Sequence, residues 1–264
     1  MSALVSYELR DDIAVIGLNR PDKRNAINNA TIAALHEQVQ RSQEEAKAAI
    51  IFGHGPHFCA GLDLAELMES IQPGAPRRQR GRWHPTFDMI ARGKVPFISA
   101  ITGACVGGGL ELASATHVRV ADATAFFALP EARRGIFVGG GGSVRIQRLL
   151  GYGRMADMML TGRVLSVAEA ERFDLCQYVV PSGGAMARAE ELARIIADNA
   201  PLTNWAICAA LPRVTDLSHD DGLFMESLIG ASIASTEGYE RVQAFVDKKV
   251  APLRAPSPPT EGEG

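Results

Sequence analysis

Cys105-Val106-Gly107-Gly108-Gly109-Leu110-Glu111 is the stretch on which the fold turns, and Phe126-Phe127-Ala128-Leu129-Pro130-Glu131 is its counterpart further along the chain. Each sets a glutamate at the edge of an apolar run, where a charge is costly to desolvate without a partner or a task. Three glycines ahead of a helix leave backbone N–H groups bare and pointing one way, which suits a developing anion. An acid–base pair beside an anion hole is therefore a catalytic expectation. Each glutamate alone also has a plainer reading, as a charge favoured by the dipole at a helix start.

On either side the same order of elements recurs. Residues 3–18 alternate loosely around Asp11-Asp12 and predict a β-hairpin. Asn19 to Asn25 is turn chemistry, and Ile32, Leu35 and Val39 predict a helix over 31–49. A buried strand follows at Ala48 to Gly53. The next unit runs from a strand over Val95 to Val106, through the glycine turn, into a short helix over Leu110 to Ala115 and a strand over His117 to Ala121. A third runs from Phe126 through Gly139-Gly140-Gly141-Gly142 into a helix over Ser143 to Leu150. A fourth has helices at 153–160 and 167–173, the second opened by the capping box of Ser166 and Glu169, and a strand at 176–180. Strand, turn and helix in succession predict an α/β architecture.

After Pro181 the pattern becomes helical, at 185–199, 202–211, 221–234 and 237–250. The expected organisation is a core over 1–199, a C-terminal helical segment over 200–254 and a disordered tail over 255–264. The basic loop 73–82 reads as a solvated lid rather than a nucleic-acid contact, because Trp83 alone is too little for a stacking platform.

The 264 residues suffice for a sizeable core. A net charge of −3 argues against nucleic-acid binding by bulk electrostatics. Cys59, Cys105, Cys176 and Cys208 have no metal-ligand spacing and read as small buried hydrophobes in a reducing compartment. The six histidines form no HExxH-type set, so no metal is expected; no other cofactor is expected either. Without a signal pattern or eighteen uninterrupted apolar residues, the expected location is cytoplasmic, with no membrane partner. The glycine clusters lack the GxGxxG frame and the Gly-Lys-Ser/Thr of a phosphate loop. Ser114 and Ser143 lack the GxSxG setting of a serine hydrolase.

Taken in order, Asn19-Arg20-Pro21 with Asn25-Ala26, Phe58-Cys59-Ala60-Gly61-Leu62-Asp63-Leu64, Gly107 to Ala113, Pro130-Glu131, Gly135 and Gly139 to Gly142 resemble the crotonase (enoyl-CoA hydratase/isomerase) superfamily. The resemblance runs from about residue 5 to Lys249. It implies a spiral of ββα units with a C-terminal helical segment that builds trimers or dimers of trimers. It also implies an acyl-CoA thioester as substrate, coenzyme A being part of that substrate.

Carried over by position, the resemblance makes the N–H groups of Leu62 and Gly108 the donors to an enolate-like thioester oxygen. Glu131 becomes the proton donor to the α-carbon, and Glu111 the group that orients a water and takes its proton. The Gly139 N–H would hold that water. Both glutamates being present, the implied reaction is hydration of a 2-enoyl-CoA. Double-bond isomerisation, or hydration coupled to thioester hydrolysis as in methylthioacryloyl-CoA hydratases, is the alternative, and an RNA-binding or scaffolding member is a third. Coenzyme A would lie along Lys23, Arg24, Ala26, Ala60, Asp63 and Leu64, with Phe245 and Lys248 reaching it from a neighbouring copy. Asp63 also reads as a helix cap, and Phe245 and Lys248 as a core aromatic and a solvated lysine. Arg133-Arg134-Gly135-Ile136-Phe137-Val138-Gly139 departs from the family pattern, with two arginines and no proline beside the acyl pocket.

Overall fold

Period-two alternation around a two-aspartate turn produces the first hairpin. The computed structural model describes residues 3–72 and 81–250. Strands β1 (Val5–Arg10) and β2 (Ile13–Leu18) pair antiparallel, with Asp11 in the left-handed region at φ +52. A 3₁₀ turn at Pro21–Lys23 precedes α1 (Asn29–Glu45), β3 (Ala48–Gly53) and α2 (Leu64–Ser70). Then come α3 (Trp83–Arg92), β4 (Phe97–Ile101), β5 (Ala104–Val106), α4 (Gly108–Ala115), β6 (Val118–Asp122) and β7 (Phe126–Ala128). A second 3₁₀ turn, Ala132–Arg134, leads to α5 (Gly142–Leu150), α6 (Tyr152–Thr161), β8 (Val164–Ser166), α7 (Val167–Arg172) and β9 (Tyr178–Val180). Helices α8 (Ala185–Ala197), α9 (Pro201–Val214), α10 (His219–Ser232) and α11 (Thr236–Val246) follow.

The strands form a six-stranded sheet in the order β1-β2-β3-β4-β6-β9, parallel from β2 onward, and a small sheet β5-β7-β8. Alternation along the large sheet separates two cores. Ile13, Val15, Ile50, Ile98 and Val120 pack with Ala185, Ala189 and Leu192 of α8. Ala14, Ile16, Leu18 and Ile51 face the larger core with Leu35 of α1, Phe87 of α3 and Leu112 of α4. Fully burying side chains of this size stabilises the fold by about 1.5–3 kcal/mol each.

Three elements differ from expectation. The strand expected over Val95 to Val106 is broken at Gly103, at φ +53, so β4 and β5 belong to different sheets. A side chain at Gly103 would run into the Pro56 carbonyl and the His57 ring, so the kink depends on glycine. Helix α3 was not anticipated, since Pro85 in its first turn disguises it; it buries Thr86, Phe87 and Ile90. Strand β8 is three residues long and pairs antiparallel with β7 where the sequence reads as an interhelix turn.

The chain divides into two compact units, Met1–Asp216 and Leu217–Gly264. Helix α9 lies in the first unit. The buried Asn204 ties α9 to α8, donating to the Ile196 carbonyl at 2.8 Å and accepting from Asn199 at 3.2 Å. In the second unit α10 and α11 are capped by Ser218 and Ser235 and leave Leu223, Phe224, Leu228 and Val242 exposed. The expected tail over 255–264 lies outside the described residues, as does most of the basic loop with Arg77, Arg78 and Arg80. Among the described residues no helix is long and apolar enough to cross a membrane.

Candidate active site

Two chain segments that run side by side build the anion hole. Cys59 pairs with Cys105 in a parallel bridge, Cys59 N–H donating to the Ala104 carbonyl at 2.9 Å and Val106 N–H to the Cys59 carbonyl at 3.0 Å. Both segments then turn on glycine. Gly61 sits at φ +93, where a side chain would stand 2.7 Å from the Val106 carbonyl oxygen and 3.0 Å from Gly108 N. Gly107 sits at φ +55, where a side chain would meet Glu131 Oε1 at 2.8 Å. The two turns bring the amides of Leu62 and Gly108 together, at the head of α2 and the first residue of α4. Neither N–H donates to a protein acceptor among the described residues. Adjacent, unpaired donors at helix starts are preorganised for negative charge.

Gly108 admits no side chain either, since a Cβ would lie 2.7 Å and 2.8 Å from the Trp83 ring. Gly108→Ala is therefore expected to overpack by about 1–3 kcal/mol, displacing the ring or the amide. Thermal midpoint and turnover should both fall, and Trp83→Leu in the same chain should restore part of each. Wild-type turnover in the single variant would show that the close fit is not needed.

The turn carrying Leu62 is held from below. Arg20 donates to Asp63 Oδ2 at 2.9 Å and to the Ala26 carbonyl at 2.6 Å, while Asp63 Oδ1 caps α2 by accepting from Ala65 N–H. Burial raises the Asp63 carboxyl, but the Arg20 guanidinium and the amides of Glu66 and Ala65 outweigh it and hold it below the usual range. Both Asp63 oxygens are thus engaged within the protein, one by Arg20 and one by the start of α2. The depressed carboxyl contributes stability above its unfolded value, and that stability is lost as pH falls through the folded one. Arg20→Met should cost about 1–3 kcal/mol near neutrality and flatten the loss of stability below about pH 4, measured by denaturant unfolding across pH.

The two glutamates meet one cavity of about 630 Å³, lined also by Ala60, Leu62, Leu64, Trp83, Gly108 and Gly139. Glu111, in the first turn of α4, is 3% exposed. Its Oε1 accepts from Gly140 N–H at 2.7 Å and from Gly142 N–H at 2.8 Å, at the start of α5. The Gly139 N–H, expected to hold a water, is directed at Glu111 Oε2 at 3.4 Å, beyond ordinary hydrogen-bond length. Oε2 is therefore the atom left for a molecule in the cavity.

Glu131 is 5% exposed, and its Oε2 is buried with no hydrogen-bond partner among the described residues. Burial pushes its carboxyl above the ordinary value and the Glu111 charge adds to this, against its own backbone and Arg134. One glutamate is held by fixed amides as an acceptor. The other is desolvated toward its protonated form. The two carboxyls thus sit in unlike environments, one anchored by amides and one desolvated.

Ala60 and Leu64 line the cavity, whereas Lys23, Arg24 and Ala26 are not among its lining residues; Arg24 joins the wall through its carbonyl, which accepts from the Ala60 N–H at 2.9 Å. Phe245 and Lys248 belong to the second unit, where Phe245 is 59% exposed. The paired arginines separate: Arg133 donates to the Thr161 carbonyl, whereas Arg134 lines the cavity with Ile136 and Phe137. Sequence reasoning missed Trp83 as a wall of the cavity, along with Arg20 and Arg145, whose partners lie 43 and 57 residues away for their ion pairs. Among the described residues no three His, Cys, Asp or Glu side chains gather as metal ligands.

The model of the enoyl-CoA hydratase/isomerase family matches residues 8–254. Enoyl-CoA hydratase EchA19 of Mycobacterium tuberculosis is 30% identical over 249 residues, covering 92% of this chain and 93% of its own. The 2,3-dehydroadipyl-CoA hydratase of Escherichia coli is 30% identical, covering 93% and 96%. A solved chain from Rhodopseudomonas palustris, provisionally named an enoyl-CoA hydratase, is 45% identical with a TM-score of 0.85, covering 93% and 95%.

Proposed function

We propose, for a chain that belongs to the enoyl-CoA hydratase/isomerase family, that it adds water across the 2,3 double bond of a 2-enoyl-CoA thioester to give a 3-hydroxyacyl-CoA. The carrying observation is the convergence of two unpaired amides and two unlike carboxyls on one cavity. The thioester oxygen accepts from Leu62 N–H and Gly108 N–H. As the water oxygen bonds to the β-carbon, the alkene electrons move toward that thioester oxygen, and Glu111 takes one water proton. Glu131 gives its proton to the α-carbon, and transfer of a proton from Glu111 back to Glu131 resets the site. Each amide, meeting charge that grows only during reaction, is worth about 3–4 kcal/mol of barrier.

The test is a panel of 2-enoyl-CoA thioesters, followed in parallel by loss of conjugated absorbance and by free thiol. Loss of absorbance without thiol supports hydration alone. Thiol release would replace it with hydration coupled to hydrolysis, and inactivity on every thioester would remove both.

In this reading Lys23 and Arg24 meet the phosphates of coenzyme A. Charge removal at both, Lys23→Gln with Arg24→Gln, is expected to raise KM with kcat little changed, the pattern of lost uniform binding. A lowered kcat at unchanged KM would contradict it. The exposed apolar residues of α10 and α11 support self-association through the second unit, with Phe245 and Lys248 reaching a neighbouring copy's substrate. A monomer by sedimentation would remove that part.

A further inference from the structure

The loop that holds Glu111 is made of the four residues least able to hold anything. Gly139, Gly140, Gly141 and Gly142 have no side chains, and glycine loses more conformational freedom on ordering than any other residue. Yet two of their amides must aim at one carboxylate oxygen, at 2.7 and 2.8 Å. Something outside the loop must fix its direction.

We propose that Arg145 is a positioning residue for Glu111, acting through this glycine loop. Its Nη2 donates to the Gly140 carbonyl, between the two amides that bind Glu111 Oε1. Its Nη1 donates to Asp88 Oδ1 at 2.9 Å, and its backbone N–H donates to the Gly141 carbonyl at 3.1 Å. The guanidinium also lies against Gly141, where a Cβ would collide with it. Asp88 belongs to α3, the helix whose Trp83 walls the cavity, so one planar fork joins α3, the loop and α5. Only a guanidinium can span two such partners with fixed geometry. Its Nε is buried without an acceptor among the described residues, a cost that an apolar side chain filling the same space would avoid. The residue is retained for what its other two nitrogens do.

The kinetic readout rests on the hydration reading above; the structural readout does not. Arg145→Met keeps bulk without a donor, and Arg145→Lys keeps a single cationic donor group, expected to serve the Gly140 carbonyl but not Asp88 as well. In the Met variant kcat is expected to fall about 10- to 100-fold, the cost of a displaced catalytic group, with KM within about twofold. Amide exchange across 139–142 is expected to speed up, and the Lys variant to recover most of the lost kcat. A purely structural role would instead lower thermal midpoint, kcat and KM performance together, with Lys no better than Met. That result, or wild-type kcat in the Met variant, overturns the proposal. If the wild-type chain hydrates no thioester, the hydration reading fails separately, and exchange alone decides: unchanged protection at 139–142 in Arg145→Met rejects the clamp. Should that variant not fold, Asp88→Asn decides by the same measurement, faster exchange supporting the clamp and unchanged exchange rejecting it.

Discussion

Glu131→Gln is expected to abolish most hydration while making the protein more stable at neutral pH. Loss of a positioned proton donor costs about 10²- to 10⁴-fold in turnover. The gain in stability follows from the same environment that equips the residue for its task. Glu131 Oε2 is buried without a partner, and burial, with the Glu111 charge added, raises its carboxyl above the ordinary value. A raised folded value contributes stability that is fully present below the unfolded value of about 4.3 and lost as pH rises through the folded one. Above the unfolded value, holding this carboxyl in its buried place is therefore a net cost whichever protonation state it takes, and the neutral amide removes it. The thermal midpoint of Glu131→Gln should exceed wild type at pH 7, and the gap should close below about pH 4. A lower midpoint at neutrality would show that the carboxylate has a stabilising partner. Undiminished turnover would remove Glu131 from the reaction altogether.

Legibility in the sequence followed the range of the interactions. Helices α1 and α4 and the capping box at Ser166 depend on neighbours within four residues, and the hairpin on two alternating runs joined by a two-residue turn, so their residue types state them directly. The start of α1 lay two residues earlier than its apolar spacing predicted, because Asn28 caps it by accepting from Thr31 N–H at 2.8 Å. Glu111 and Glu131 were legible as odd charges in apolar company, and the glycines as sites of close approach. What the residues could not announce were pairings made across the fold. The pairing of Asp63 with Arg20 has no trace in the local sequence of either residue, since it exists only where the fold brings positions 20 and 63 together. Trp83 has helical neighbours in Phe87 and Ile90, four and seven residues on, but Pro85 and the adjoining basic loop disguise that spacing, and nothing local marks the ring as a cavity wall. The break between β4 and β5 was hidden for a similar reason. A glycine between two apolar runs reads as strand until the positions of Pro56 and His57 are known.

Glu111 and Glu131 are predicted to part company when each side chain is truncated to alanine. Both variants should lose hydration by about 10²-fold or more. Their stabilities should move in opposite directions, because the groups around them are opposite in kind. Glu131→Ala removes a desolvated carboxylate that leaves no protein donor without a partner at Oε2. Glu111→Ala strips the acceptor from Gly140 N–H and Gly142 N–H, both at the buried start of α5. A buried donor left unsatisfied costs about 1–3 kcal/mol, so this variant should lose about 2–6 kcal/mol less whatever water recovers. Glu111→Gln separates the two consequences. Its amide oxygen still accepts from both glycine N–H groups, so most of the stability should return while the proton acceptor stays absent. Denaturant unfolding of the alanine and glutamine variants, with turnover measured on the same preparations, checks both parts. If Glu111→Ala proved as stable as Glu111→Gln, the two amides would not be anchored on that carboxylate, and the role assigned to the glycine loop would fall with them.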